Sequence, residues 1–155
     1  MEIRKNMLPV LRPQGGKEEV EALKEVIESG WWGKGPKVEQ FEKEFAEMVG
    51  AKYAVAVTSN SHGQDLVMKA LDIKDGDVIN PTISFMAVKE IREFYDGLII
   101  EDCAHSCYTP GAGQAGDIAI WSFQAVKTMP SGDGGMITLN DEKLYHKLKE
   151  MTWFG

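Results

Sequence analysis

Tyr53-Ala54-Val55-Ala56-Val57-Thr58-Ser59-Asn60-Ser61-His62-Gly63 decides the fold. Its first five residues form an unbroken apolar run of strand length. Without polar alternation, such a run predicts a strand buried on both faces. The next six residues are small or polar, and helical spacing resumes through Leu66, Val67, Ala70 and Leu71. Upstream, Val20, Leu23, Val26 and Ile27 recur at helical spacing over Lys17–Ser29, with Gly30 as the stop. Pro36 suits a first helical position, and Val38, Phe41, Phe45, Ala46 and Val49 make one stripe ending at Gly50.

Downstream the two patterns alternate. Strands are expected at Asp77–Asn80, Leu98–Ile100, Ile118–Phe123 and Gly135–Leu139. A helix is expected over Ser84–Tyr95, and Asp141 caps another that runs through Leu144, Leu148 and Met151. Alternation of this kind predicts an α/β fold with a mostly parallel sheet flanked by helices. In such sheets ligands sit beyond the carboxyl ends of the strands. Those ends carry Ser59-Asn60-Ser61, Glu101-Asp102 and Ser122 to Lys127.

Composition narrows the classes. The chain has 155 residues, is 26% charged, and has a net charge of −7. That balance argues against nucleic acid or an anionic membrane as partner. The N-terminus shows neither a spanning segment nor a signal-peptide core, so the cytoplasm is the expected compartment. Cys103 and Cys107 stand four apart without a second pair, which supports neither a disulfide framework nor a metal site.

Each of the three strand-end segments has an ordinary reading. Ser59 to Ser61 suits a phosphate held at a helix start, and equally a capped turn. Glu101-Asp102 suits a buried carboxylate with a strong donor partner, and equally a local cap. Lys127 follows a strand amid apolar and small residues, where desolvation would favour the neutral amine that condenses with carbonyls. Together they become specific: a phosphate cradle, a carboxylate and a nucleophilic lysine at neighbouring strand ends are what pyridoxal 5′-phosphate requires.

The same residues carry a resemblance. The order GxxxxVEQFEKEFA, KYAVAVTSNS, PTxSF, IIEDCAHS, DIAIWSFQAVK and GDGGMITLND, from about Gly30 to Gly155, resembles the DegT/DnrJ/EryC1/StrS family. These are fold type I, vitamin-B6-dependent aminotransferases that act on nucleotide-linked keto sugars. The resemblance implies that Lys127 forms the Schiff base with the cofactor and shuttles the proton, while Asp102 pairs with the pyridine nitrogen. It implies that His105 is a polar partner of the ring hydroxyl and that Phe85 stacks on the ring. Asn60, Ser61 and Ser122 would hold the phosphate, although Asn60 replaces the family's glycine. Trp31 and Trp32 lie in the loop that lines the substrate side in the family; packing aromatics is the alternative. A family branch that dehydrates sugars carries histidine at the lysine position, so Lys127 speaks for transamination. The implied partners are a nucleotide-linked keto sugar, an amino donor such as glutamate, and a second copy of the chain in a homodimer.

On this reading residues 1–35 form an N-terminal helix and substrate-side loop, and 36–155 an incomplete cofactor-binding domain. Only sixteen residues separate Phe85 from Asp102, where the family has two further strands. The small C-terminal domain is also missing. A non-catalytic fragment that binds cofactor or dimerises is therefore the alternative function. Either the residues are a spliced subset of a longer chain, or a short chain has a sheet that lacks a strand. An intact mass near 17.2 kDa selects the short chain, and a much larger mass selects the spliced subset.

Overall fold

A computed structural model describes residues 12–73 and 95–153. The strand expected at Asp77–Asn80, most of the Ser84–Tyr95 helix, and Phe85 lie outside the described residues. The described elements run α1 (Lys17–Ser29), α2 (Pro36–Val49), β1 (Tyr53–Val57), α3 (Asn60–Ala70), β2 (Ile100–Asp102), β3 (Ile118–Ser122), β4 (Gly135–Leu139) and α4 (Glu142–Met151).

The four strands form one sheet in the order β1-β4-β3-β2. β3 and β2 pair in parallel, with Asp102 opposite Ile120. β4 runs antiparallel to both its neighbours, so that Val57 and Ser122 each face Gly135. Thus β1, β2 and β3 share one direction, as expected for the α/β class, and β4 makes the sheet mixed. The reversal follows from the connection: residues 123–134 contain no helix, and a crossover helix is what normally returns a chain for parallel pairing.

Side chains alternate across the sheet with period two. On one face Ala54, Ala119, Trp121 and Met136 pack with Phe45, Ala46 and Val49 of α2. On the other, Val55, Ile118, Ile120, Ile137 and Leu139 pack with Leu66, Val67 and Ala70 of α3 and Leu148 of α4. Both faces are covered, which explains why these strands read as continuous apolar runs. Phe45 anchors the α2 layer, meeting Trp121 and Phe123 edge-on with centroids 5.3 and 5.2 Å away. The Trp121 indole donates to Thr138 Oγ1 at 2.9 Å, so this buried polar pair is satisfied.

The Leu98–Ile100 strand begins at Ile100 and the Ile118–Phe123 strand ends at Ser122, and two further boundaries move for local reasons. α3 starts at Asn60, directly after β1, because the Ser59 hydroxyl accepts from the His62 amide and caps the helix there. β2 extends through Asp102, because pairing with Ala119 and Ile120 draws Glu101 and Asp102 into the ladder. Gly63 lets α3 lie close on the sheet: a Cβ there would stand 2.9 Å from Ile120 Cγ2. α1 contributes nothing to either core. None of its residues is buried, and Val20, Leu23 and Ile27 are each more than 60% exposed.

Glu101 turns inward from β2 and is buried. Its carboxylate accepts from the amides of Gly113, Ala115 and Gly116 at 3.1, 2.9 and 2.6 Å, which pins the loop between β2 and β3. Glu101→Gln turns one acceptor oxygen into a donor facing those amides. A loss of about 2–3 kcal/mol is expected in urea unfolding, from buried amides left without an acceptor. A variant as stable as the parent would contradict this role.

Candidate active site

The shared direction of β1, β2 and β3 brings their carboxyl ends, and the start of β4, to one edge of the sheet. The turn after β1 crosses that edge. Ser59 bridges to Gly134, and the Ser59–Asn60 backbone lies directly on Gly135. A Cβ at Gly135 would stand 2.5 Å from the Ser59 carbonyl carbon and 2.7 Å from the Asn60 nitrogen. Only glycine permits that approach, and it delivers the start of α3 to the ends of β3 and β2.

Asn60 uses the proximity. Its Nδ2 donates to Asp102 Oδ1 and to the Ile120 carbonyl, both at 3.0 Å. Gln64, one helical turn further on, donates from Nε2 to Asp102 Oδ2 at 3.2 Å and to Asn60 Oδ1 at 2.8 Å. The Ala104 amide also donates to Asp102 Oδ1, at 3.0 Å. Asp102 is therefore a half-buried carboxylate held by neutral donors. The side chain of Asn60 faces this carboxylate, so any phosphate contact it makes falls to its backbone at the positive start of α3. Ser61 is exposed beside it, and its hydroxyl has no partner among the described residues.

Lys127 and His105 make the second cluster, with Lys127 Nζ 2.7 Å from His105 Nε2. Lys127 is half-buried. Instead of the closed apolar setting its neighbours suggest, it borders a cleft of about 240 Å³ that Arg12 and Gln14 also line. The reason is its position: it follows β3 by five residues, in a turn that its own amide closes onto the Gln124 carbonyl. Ser122 is buried at the end of β3, where its hydroxyl accepts from the Gln124 amide at 3.5 Å.

Trp31 and Trp32 are exposed and make local contacts. The Trp32 indole donates to the Ile27 carbonyl, and Trp31 lies over Gly35, where a Cβ would meet its ring at 2.9 Å. Gln64 is the site residue that the strand-end reading missed. Its signal was the four-residue spacing from Asn60, which puts both amides on one helix face. Among the described residues no group of His, Cys, Asp and Glu could hold a metal, and no helix is long and apolar enough to cross a membrane.

Comparison with known proteins follows the same lines. The family model for the DegT/DnrJ/EryC1/StrS aminotransferases matches residues 13–93 and 87–155. The chain belongs to this family. It is 32% identical to the spore coat polysaccharide biosynthesis protein SpsC of Bacillus subtilis over 211 residues, covering 98% of this chain and 54% of SpsC. It thus spans about half the length of that relative. An alignment of 211 positions against a chain of 155 leaves at least 56 with no residue from this chain. The two family matches meet at residues 87–93, between Phe85 and Asp102, where the spacing is short. Among solved structures, the aminotransferase TlmJ from Streptoalloteichus hindustanus superposes with a TM-score of 0.82 at 26% identity, covering 94% of this chain and 56% of TlmJ. Spr1654 from Streptococcus pneumoniae, solved in PLP and PMP forms, has the same fold at 17% identity. Its TM-scores are 0.77 and 0.76, over 92% of this chain and 57% and 56% of Spr1654.

Cys103, next to Asp102, is buried. Burial first, and then the Glu101 and Asp102 charges, pushes its thiol far above the ordinary value of 9.0. Above that value an unfolded chain loses the thiol proton while the native chain keeps it. The unfolded state then binds fewer protons, and stability falls as pH rises. Urea unfolding on either side of the ordinary thiol value is expected to show this decline, and Cys103→Ala to lessen it. An equal slope in the variant would assign the decline to other groups.

Proposed function

We propose that this site is the cofactor-binding part of an aminotransferase that transfers an amino group, with glutamate as donor, to a keto group of a nucleotide-linked sugar. The observation that carries the reading is the hold of Asp102 by the start of α3, with Lys127 in hydrogen-bond reach of His105, three residues beyond Asp102. Family membership supports the cofactor, pyridoxal 5′-phosphate, and so do the PLP and PMP forms of Spr1654. The donor set fits it: a carboxylate held by neutral groups, a half-buried lysine beside an imidazole, and a helix start with a free hydroxyl.

Pyridoxal 5′-phosphate, when bound, supplies an aldehyde that carries the amino group and a ring that spreads carbanion charge. The chain's residues would do the rest. Asp102 would accept the pyridinium N–H and keep that proton in place. The α3 start, the Ser61 hydroxyl and Ser122 would hold the phosphate, and the family resemblance assigns Phe85 to the ring face. Lys127 Nζ would hold the cofactor and, as a free amine, would carry a proton between the two reacting carbons. His105, within hydrogen-bond reach of that nitrogen, accepts from its ammonium form and so orients it. The nucleotide sugar, the glutamate donor and the homodimer rest on the family resemblance, as does the substrate-side role of Trp31 and Trp32.

A second reading has its own support. The chain lacks at least 56 residues within the span it shares with SpsC, and β2 is an edge of the described sheet. A fragment that binds cofactor without turnover would look the same. Incubation with pyridoxal 5′-phosphate is expected to give a visible absorption band. Borohydride should trap the cofactor on Lys127, and Lys127→Ala should abolish both signals. A parent chain that stays colourless defeats the cofactor reading. Amination of keto sugar nucleotides in a glutamate-driven screen separates the enzyme from the fragment.

A further inference from the structure

We infer that Asn60 and Gln64 are positioning residues, an amide pair that aims Asp102 at the cofactor ring while leaving its charge uncancelled. The inference rests on the cofactor reading above and adds Gln64, which none of the three strand-end segments contained. Its basis is a closed ring of hydrogen bonds. Asn60 Nδ2 donates to Asp102 Oδ1, Gln64 Nε2 donates to Asp102 Oδ2, and Gln64 Nε2 also donates to Asn60 Oδ1. The remaining Asn60 proton goes to the Ile120 carbonyl.

Counting donors fixes every orientation. An amide nitrogen has two protons, and those of Asn60 and of Gln64 are all spent on acceptors in this set. Turning the Asn60 amide over would point its oxygen at Asp102 and at the Ile120 carbonyl, two acceptors, and its nitrogen at the Gln64 donor. No alternative rotation keeps the ring. Asp102 in turn accepts two bonds on Oδ1, from Asn60 and the Ala104 amide, and one on Oδ2, from Gln64. A carboxylate offers about four lone-pair sites, so one remains, on Oδ2.

The chemistry of the holders matters as much as their number. Among the described residues Asp102 has no cationic hydrogen-bond partner; the three groups that hold it are neutral. Arginine or lysine there would hold the carboxylate equally well and cancel its charge. Neutral amides restrict its rotation and leave its negative charge for a positive ring nitrogen. The substitution of Asn60 for the family's glycine thereby acquires a reason: the position contributes a side chain to Asp102 and only its backbone to the phosphate turn. Asn60 and Gln64 lie one turn apart on α3, so a single helix start presents both the phosphate amides and the clamp.

The test uses the full chain with Asn60→Gly, Gln64→Leu and the double variant, each compared with the parent. In the cofactor-free protein, the side-chain amide protons of Asn60 and Gln64 are expected to exchange slowly with water in nitrogen–proton NMR spectra, and Asp102→Ala to release both. With pyridoxal 5′-phosphate, each single variant is expected to bind about tenfold more weakly, the loss of one bond to a charged group. The pH at which the visible band changes should also move. The double variant should lose less than the two singles combined, because either substitution opens the same ring. A purely structural role would lower the unfolding midpoint and leave the band's pH profile where it was. That outcome, or amides that exchange as freely as exposed glutamine, overturns the inference alone. A parent chain that takes up no cofactor removes the functional reading, and the inference with it.

Discussion

The site depends on one close approach, the Ser59–Asn60 backbone lying on Gly135 without room for a Cβ. β4 stands between β1 and β3 in the sheet, so the turn after β1 must pass over the start of β4 to reach the other strand ends. Any side chain at position 135 would lift that turn. Asn60 would then lose both the Ile120 carbonyl and Asp102, and Gln64 would follow, since it lies one helical turn behind on the same face. Gly63 makes the matching concession on the next turn, allowing α3 to rest against Ile120 and Ile137. Two missing methyl groups thus set the height and the direction of the helix that carries the clamp.

Three buried or half-buried carboxylates show how differently one group can be used. Glu101 is closed in by three loop amides and serves the fold. Glu42 is buried on α2, where it accepts the Ala56 amide of edge strand β1 and pairs with Lys149 of α4, so it ties two helices to a strand. Asp102 is half-buried at the carboxyl end of β2, where the Asn60 and Gln64 side chains and the Ala104 amide hold it. Adjacent in sequence, Glu101 and Asp102 face opposite sides of β2, and that alternation separates a buried acid from a half-buried one.

Much of the architecture was legible beforehand, for identifiable reasons. The spans of α1 and α2 coincide with their apolar stripes and glycine stops, because helix length follows local periodicity and capping. β1 and β4 coincide with their apolar runs, because a strand covered on both faces cannot carry polar alternation. What local pattern could not convey was strand direction. Residues 135–139 read the same in either orientation, and only the helix-free connection from β3 makes β4 antiparallel. The start of α3 was hidden for a related reason: Asn60, Ser61 and His62 are turn-like in composition, and become helical once Ser59 caps them.

The sequence alone therefore determined the elements, the class, the family resemblance, and the short spacing between Phe85 and Asp102, since each is written in local order and residue type. Tertiary structure decided which of those residues meet. It joined Lys127 to His105 across 22 positions and Asn60 to Asp102 across 42, distances at which periodicity carries no information. It also added Gln64. The physical reason is that hydrogen bonds are directional and short: a side chain's type shows what it can donate, and only the packed backbone determines to whom.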